Sequence, residues 1–362
     1  MASAYSNNHY SILRKKIQPL FDKQIDAINQ SSLDNLSSAN QAVASKNSGI
    51  HKLIISFHDD TTKHLAMKTK SQQTLINGIL LLSKSSPKLR IELIKNHKVF
   101  AYNSSHRREI SIYQNLDRSL SNHHIKYYGF FASFPKTYNL LFDYYNGQSE
   151  SLTFQNAKRL LDGILSFHTF YYKDIESAKR LNLNIYTPTD YKNAKNCIYD
   201  LYNSRHTENL KLYGEKQDQA INHYINNIDR IMQTYKDHRT FTHNDFSTRN
   251  TFLAKNQVLF YDFELSCFQN PEHDLIEFLM YDLGSFTDQE AKKLIDYYKN
   301  GLAKNNITIS NEDYKNLLIY NAYEFIVNRL SMTKTINDTV ALDFAKTSIP
   351  NSKRLLKILE TI

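Results

Sequence analysis

Phe241-Thr-His-Asn-Asp-Phe-Ser-Thr-Arg-Asn-Thr-Phe-Leu253, followed by Val258-Leu-Phe-Tyr-Asp-Phe-Glu264, is the stretch on which the fold of this chain turns. It reads as a strand, a polar turn, a short strand, a Lys255-Asn256 hairpin turn and a third strand. Asp245 and Asn250 fall in the polar turn, and Asp262 falls at the end of the last strand. Three oxygen-bearing side chains are thereby expected to converge on one edge of a small sheet. Asp and Asn also cap turns with no further role, so the segment gains weight from what surrounds it.

Upstream, His51 to Phe57 reads as a strand, Asp59-Asp60-Thr61 as a turn and His64 to Thr69 as a second strand, together a hairpin. A helical insertion is expected from Gln72 to Ile94, broken near Pro87, and another helix from Ser105 to Leu120. Ile125 to Ala132 and Tyr138 to Tyr145 form a further strand pair turning at Pro135. At the start, Ile12, Leu13, Ile17, Leu20, Phe21, Ile25 and Ile28 recur at helical spacing, which predicts a helix over Tyr10 to Ile28. The polar run Asn29 to Ser48 reads as a linker.

Beyond Asn146-Gly147 the chain is mainly helical, with helices over Thr153 to Tyr172, Asp190 to Tyr202 and Glu208 to Tyr235. Thr287 with Glu290 and Ser310 with Asp313 mark two later helix starts as capping boxes. The expected class is α+β, a sheet-bearing first half and a helical second half. The expected divisions are residues 1–48 (helix and linker), 49–146 (sheet lobe with helical insertion) and 147–362 (helical lobe).

Composition narrows the function. With 8 Gly, 6 Pro and 22% charged residues in 362, the chain is neither disordered nor fibrous. Cys197 and Cys267 fit no ligand spacing, which argues against a disulfide framework or zinc site and for a reducing compartment. No apolar run approaches the ~18 residues of a membrane helix, and Met1 to Lys16 lacks a signal-peptide core. A cytoplasmic protein is the expectation. The formal charge of +9 is spread along the chain without a dense basic run, so it reads as a solvated surface and not as a nucleic-acid footprint.

Phosphoryl transfer requires what the loop segment offers. A carboxylate must orient and deprotonate the attacking hydroxyl, a task that suits Asp245; hard oxygen ligands must hold Mg²⁺ against a triphosphate, which suits Asn250 with Asp262. The ordered set His243, Asp245, Asn250 and Asp262, then Asp274 in Pro271-Glu-His-Asp274-Leu, resembles the aminoglycoside phosphotransferase and choline/ethanolamine kinase superfamily. The strings His-Asn-Asp and Asp-Phe-Glu are similar to the choline/ethanolamine kinase version.

The resemblance implies a bilobal protein-kinase-like fold, a small antiparallel-sheet lobe and a larger helical lobe, with the nucleotide in the cleft between them. It implies that Lys68, in Leu65-Ala-Met-Lys68, grips the α/β-phosphates (Lys70 shares its strand face) and that Glu109 is its ion-pair partner. Phe142 and Tyr144 lie where a hinge strand would meet the adenine, while His243 and Asp274 brace the loop. His168 matches a helix position and reads as a core histidine; Arg249 and Glu264 are open between site and surface. A glycine-rich phosphate loop is missing, with Lys46-Asn-Ser-Gly49 in its place.

The implied activity is ATP- or GTP-dependent, Mg²⁺-dependent phosphorylation of a small hydroxylated acceptor: an amino alcohol, an aminoglycoside or another natural product. The alternative is a catalytically silent kinase-fold protein that binds nucleotide or a partner.

Overall fold

The structure, a computed structural model, describes residues 11–32, 49–71, 87–101, 103–134, 137–145, 149–203, 213–331 and 339–362. The chain divides into two compact units: Met1–Gly78 with Ile125–Gln148, and Ile79–His124 with Ser149–Ile362. Among the described residues, no helix is long and apolar enough to cross a membrane.

The first unit is built on a five-stranded antiparallel sheet: β1 (Ile25–Ser32), β2 (Gly49–Phe57), β3 (Thr62–Ser71), β4 (Tyr127–Phe134) and β5 (Thr137–Asp143), in the order β1-β2-β3-β5-β4. Period-2 alternation places Leu53, Ile55 and Phe57 of β2 with Leu65 and Met67 of β3 on one face. Leu13 and Ile17, from a helix over residues 11–17, cover that face and complete the core with Ile25 and Ile28.

The helix expected to Ile28 therefore stops at Ile17. A 3₁₀ turn, Gln18–Leu20, holds Pro19, which cannot donate to a continuing helix. Ile25 and Ile28 instead enter the sheet opposite Phe57 and Ile55. Residues three apart cannot share a face in a regular strand; a bulge between Ile25 and Ala27 brings both inward. Helical spacing and a bulged strand thus leave the same sequence trace. The expected linker loses Asn29–Ser32 to β1; residues 33–48 and 72–86 of the expected linker and insertion lie outside the described residues. The insertion's end, Pro87–Lys95, is a helix (α1) that begins at its proline, where the missing N–H costs nothing.

The second unit holds α2 (Ser105–Asn115), α3 (Phe154–Phe170), α4 (Ile175–Arg180), α5 (Pro188–Asn203), α6 (Glu215–Thr234), α7 (Glu272–Asp282), α8 (Asp288–Lys304), α9 (Asn311–Phe325) and α10 (Thr339–Glu360). Of the two expected capping boxes, Thr287 and Glu290 form one; Ser310 accepts from the Asp313 N–H and its own hydroxyl donates to the Asp313 side chain.

Two small sheets interrupt the helices. β7 (Thr240–Thr242) pairs antiparallel with β10 (Cys267–Gln269), which pairs parallel with β6 (Asn184–Ile185); β8 (Thr251–Ala254) and β9 (Gln257–Phe260) form a hairpin. Phe241, Phe246, Phe260 and Phe263, all fully buried, back these strands against Phe167 of α3 and Phe278 of α7. An aromatic-rich composition is here an aromatic floor under one hairpin.

Gly163 of α3 is part of that floor. A Cβ there would stand 2.9 Å from the Phe260 ring and 3.4 Å from Val258. Gly163→Ala gains about 1 kcal/mol of helix propensity but overpacks a buried ring at a cost of about 1–3 kcal/mol. Thermal unfolding is expected to show a net loss of a few degrees; an increase would mean that the ring moves freely.

Candidate active site

The loop between β7 and β8 is held from below by one face of α7. Asp274 accepts from the His243 N–H through Oδ2 (2.8 Å) and from the Asn244 N–H through Oδ1 (2.9 Å). Glu277 Oε2 accepts from the Phe246 N–H (2.8 Å), and Asp282 accepts from the N–H (3.0 Å) and hydroxyl (2.7 Å) of Thr248. Positions 274 and 277 share a helical face and Asp282 ends the helix, so one helix presents three acids to the loop amides. A polar loop needs partners for its backbone groups; here buried acids supply them.

Asp274 is fully buried, and His168 Nε2 lies 2.9 Å from its Oδ2. Burial alone would push this carboxyl up, but the His168 hydrogen bond, with the charges of His168, His273 and His243, holds it below the usual range. Burial pushes Glu277 well up, with Arg329 acting in the opposite sense. A carboxyl with a raised folded-state value stabilises at low pH and loses that contribution as pH rises through it. Glu277→Gln, which keeps an acceptor for Phe246, is expected to flatten the alkaline side of the stability profile; denaturant melts across pH test this, and an unchanged slope refutes it.

A second loop, between β9 and β10, is stitched to the first. His243 Nε2 lies 2.9 Å from the Tyr261 carbonyl and donates to it. Asn244 Nδ2 donates to the Leu265 carbonyl (2.8 Å), and the Tyr261 N–H donates to the Asn250 carbonyl (3.1 Å). Asn244 (φ 57°) and Asp262 (φ 65°) hold left-handed backbone, which Asn and Asp tolerate better than other non-glycine residues. Such conformations persist where surrounding bonds over-determine them, as here.

Asp245 is tied at both oxygens. Asn250 Nδ2 donates to Oδ2 (2.7 Å) and to the Asp245 carbonyl (2.8 Å); the Tyr281 hydroxyl donates to Oδ1 (3.2 Å). With its nitrogen so engaged, Asn250 has Oδ1 as the side-chain atom it could offer to a cation. The Arg249 guanidinium lies over the Tyr281 ring at 4.5 Å and 3.9 Å from Asp245 Oδ1. Burial, with Asp245 and Glu277 beside it, pushes the Tyr281 hydroxyl well above its ordinary value, so it remains a donor. Tyr281→Phe deletes a hydrogen bond to a charged group, a change on the order of 1.5–3 kcal/mol. Denaturant melts are expected to show a loss of that order; unchanged stability would show that the bond contributes nothing.

Asp262 stands beside Glu264 and, from α2, Glu109: one carboxylate oxygen of each lies within 4.8 Å of the others. Hard oxygen donors in that number suit Mg²⁺ or a similar cation. Arg108, the residue before Glu109, fixes the arrangement. Its buried guanidinium donates to the carbonyls of Glu264 (2.6 Å), Ala101 (3.0 Å) and Asn182 (3.2 Å), and burial lowers it to about 10.

Lys68, Lys70, Phe142 and Tyr144, also read from the sequence, lie in the first unit. Lys68 sits on β3 between Ile50 and Leu140, on the face opposite Leu65 and Met67, with Lys70 two positions on. Phe142 is buried on β5; Tyr144 follows the strand, its N–H donating to the His64 carbonyl (3.3 Å) and Lys52 Nζ 4.5 Å over its ring. His168, in the second unit, is fully buried, its second nitrogen 2.5 Å from the Tyr298 hydroxyl, which makes it the core histidine expected. Sequence reading missed Glu277 and Tyr281, although they follow Asp274 at i+3 and i+7, the spacing of one helical face. It also missed the grouping of Glu109 with Asp262 and Glu264, for which no local signal exists.

A small antiparallel sheet followed by a helical unit that carries these two loops is the protein-kinase-like fold. A family model described as the ecdysteroid kinase-like family matches residues 165–310, less than half of the chain, and bears out the resemblance read from the loop motifs. No curated protein sequence matches at a significant level.

Solved structures share the fold at low identity. A Ralstonia eutropha protein described as a candidate aminoglycoside phosphotransferase has 10% identity and a TM-score of 0.57, covering 96% of this chain and 97% of that one. Aminoglycoside 2′-phosphotransferase-IIIa, in a point-mutant form solved with GDP, has 13% identity and a TM-score of 0.50 over 97% and 96%. A Plasmodium vivax ethanolamine kinase has 12% identity and a TM-score of 0.50 over 91% and 84%.

Proposed function

We propose that this chain is a phosphotransferase that moves the γ-phosphate of ATP or GTP, with Mg²⁺, onto a hydroxyl of a small molecule. One observation supports the reading: Asp245, Asn250 and Asp262, the base and metal ligands of this proposal, belong to one stitched pair of loops. Asn250 holds the Asp245 carboxylate through its amide and the residue before Asp262 through its carbonyl. A candidate base so oriented has lost its rotational freedom before any substrate arrives, which is how positioning lowers a barrier.

Asp245 accepts the acceptor's hydroxyl proton at a carboxylate oxygen while Asn250 and Tyr281 keep that carboxylate in one rotamer. Asn250 and Asp262, with Glu264 and Glu109 at hand, would hold the Mg²⁺, whose charge offsets that of the triphosphate. In this reading Lys68 binds the phosphates, and Phe142 and Tyr144 the base. The relative solved with GDP supports keeping GTP beside ATP as a donor.

The acceptor is a hydroxylated small molecule, with amino alcohols, aminoglycosides, ecdysteroid-like polyols and other natural products as the classes to screen. A thermal-shift panel with ATP and GTP, each with and without Mg²⁺, is expected to show nucleotide- and metal-dependent stabilisation. Phosphate transfer across an alcohol library is then expected to identify the acceptor. Stabilisation without transfer to any alcohol would identify a silent nucleotide binder, and absence of both would end the proposal.

A further inference from the structure

The last turn after α9 is not α-helical. Ile326–Leu330 form a π-helical turn, which inserts a residue into the helical register and is frequent at functional sites. The side chain it delivers is Arg329, 15% exposed. Its Nη2 donates to the carbonyl of Asn244, the residue before Asp245, and its Nε lies 3.5 Å from Oε1 of the buried Glu277. Glu277 in turn accepts from the N–H of Phe246, the residue after Asp245. One guanidinium therefore reaches the backbone on both sides of the candidate base, once directly and once through a carboxylate.

Asp274, Glu277 and Asp282 accept from N–H groups of the loop, but acids cannot hold its carbonyls. The Asn244 carbonyl needs a donor, and Arg329 supplies one. A planar fork with several donors in fixed geometry can serve a carbonyl and a carboxylate together; an ammonium on a flexible stem cannot do both in the same way.

We propose that Arg329 is a positioning residue for phosphoryl transfer: delivered by the π-turn, it fixes the Asn244 peptide and thereby the direction of the Asp245 carboxylate. This rests on the functional reading above. The residue touches neither substrate nor the reacting atoms in this role, so its signature is kinetic.

The test compares wild type, D245N, R329K and R329A on one acceptor, with kcat, nucleotide KM and thermal midpoint measured for each. R329K and R329A are expected to lose about 10- to 100-fold in kcat, the scale of one charged hydrogen bond, while nucleotide KM stays within about threefold. Guanidinium, added far below denaturing concentrations, is expected to restore part of the R329A rate. A residue that merely stabilised the fold would not be rescued by a denaturant cation. Wild-type kcat in R329K overturns the proposal. Absence of any Asp245-dependent turnover in the wild type is a different failure, that of the functional reading itself.

Discussion

Asp245→Asn is expected to lower turnover about 10²- to 10⁴-fold, the usual contribution of a positioned general base, and to leave nucleotide affinity within a few-fold of wild type. The geometry explains both halves. Asp245 now receives one donor at each oxygen, Tyr281 at Oδ1 and Asn250 at Oδ2. An asparagine has a single side-chain acceptor, so its amide nitrogen must face one of those donors, and the surviving oxygen cannot take a proton from an alcohol. The carboxylates of Asp262, Glu264 and Glu109 are untouched, and with them the candidate metal site. Single-turnover rates alongside a nucleotide titration check the prediction. Wild-type turnover in the asparagine variant would remove Asp245 from the chemistry.

Asp274→Ala is expected to be the most destabilising single change in the loop region, at about 3–5 kcal/mol, the cost of stripping one partner from a buried charged pair. Three donors would lose their acceptor together: the His243 and Asn244 N–H groups and His168 Nε2. Asp274, His168 and His243 are fully buried, so water cannot replace the missing oxygens without opening the core. Activity should fall with stability, because the same bonds set the loop backbone on which Asp245 rides.

The pH sign follows from the direction of the shift. Asp274 is held below the usual carboxylate range, so its contribution is present at neutral pH and is lost as acid takes the protein below about pH 4. The variant should show a thermal midpoint lower by roughly 10 °C at neutral pH, with a flatter acid limb than wild type. A midpoint within a degree of wild type would show that the three donors find other partners.

Much of the fold was legible because its signals are local. Alternation in His51 to Phe57 and His64 to Thr69 gave the first hairpin, and the Lys255-Asn256 turn gave the second. The opening segment shows where such reading fails. Ile25 and Ile28 carry helical spacing, yet a bulge turns both toward the sheet core, and the choice is made by partners at Phe57 and Ile55, some thirty positions along the chain. The site divides in the same way. Asp245 and Asn250 lie within one short turn with its own chemistry, so their pairing is readable from sequence alone.

The amino-acid sequence by itself determined the strand-turn-strand frame, the helix starts at Thr287 and Ser310, and the pairing of Asp245 with Asn250 in one turn. All of these rest on interactions between residues a few positions apart. Tertiary structure alone decided that Glu109 joins Asp262 and Glu264, that Tyr281 bonds Asp245 and that Arg329 reaches the Asn244 carbonyl. Those partners come from helical segments far away in the chain, and only tertiary packing brings their side chains to this pair of loops.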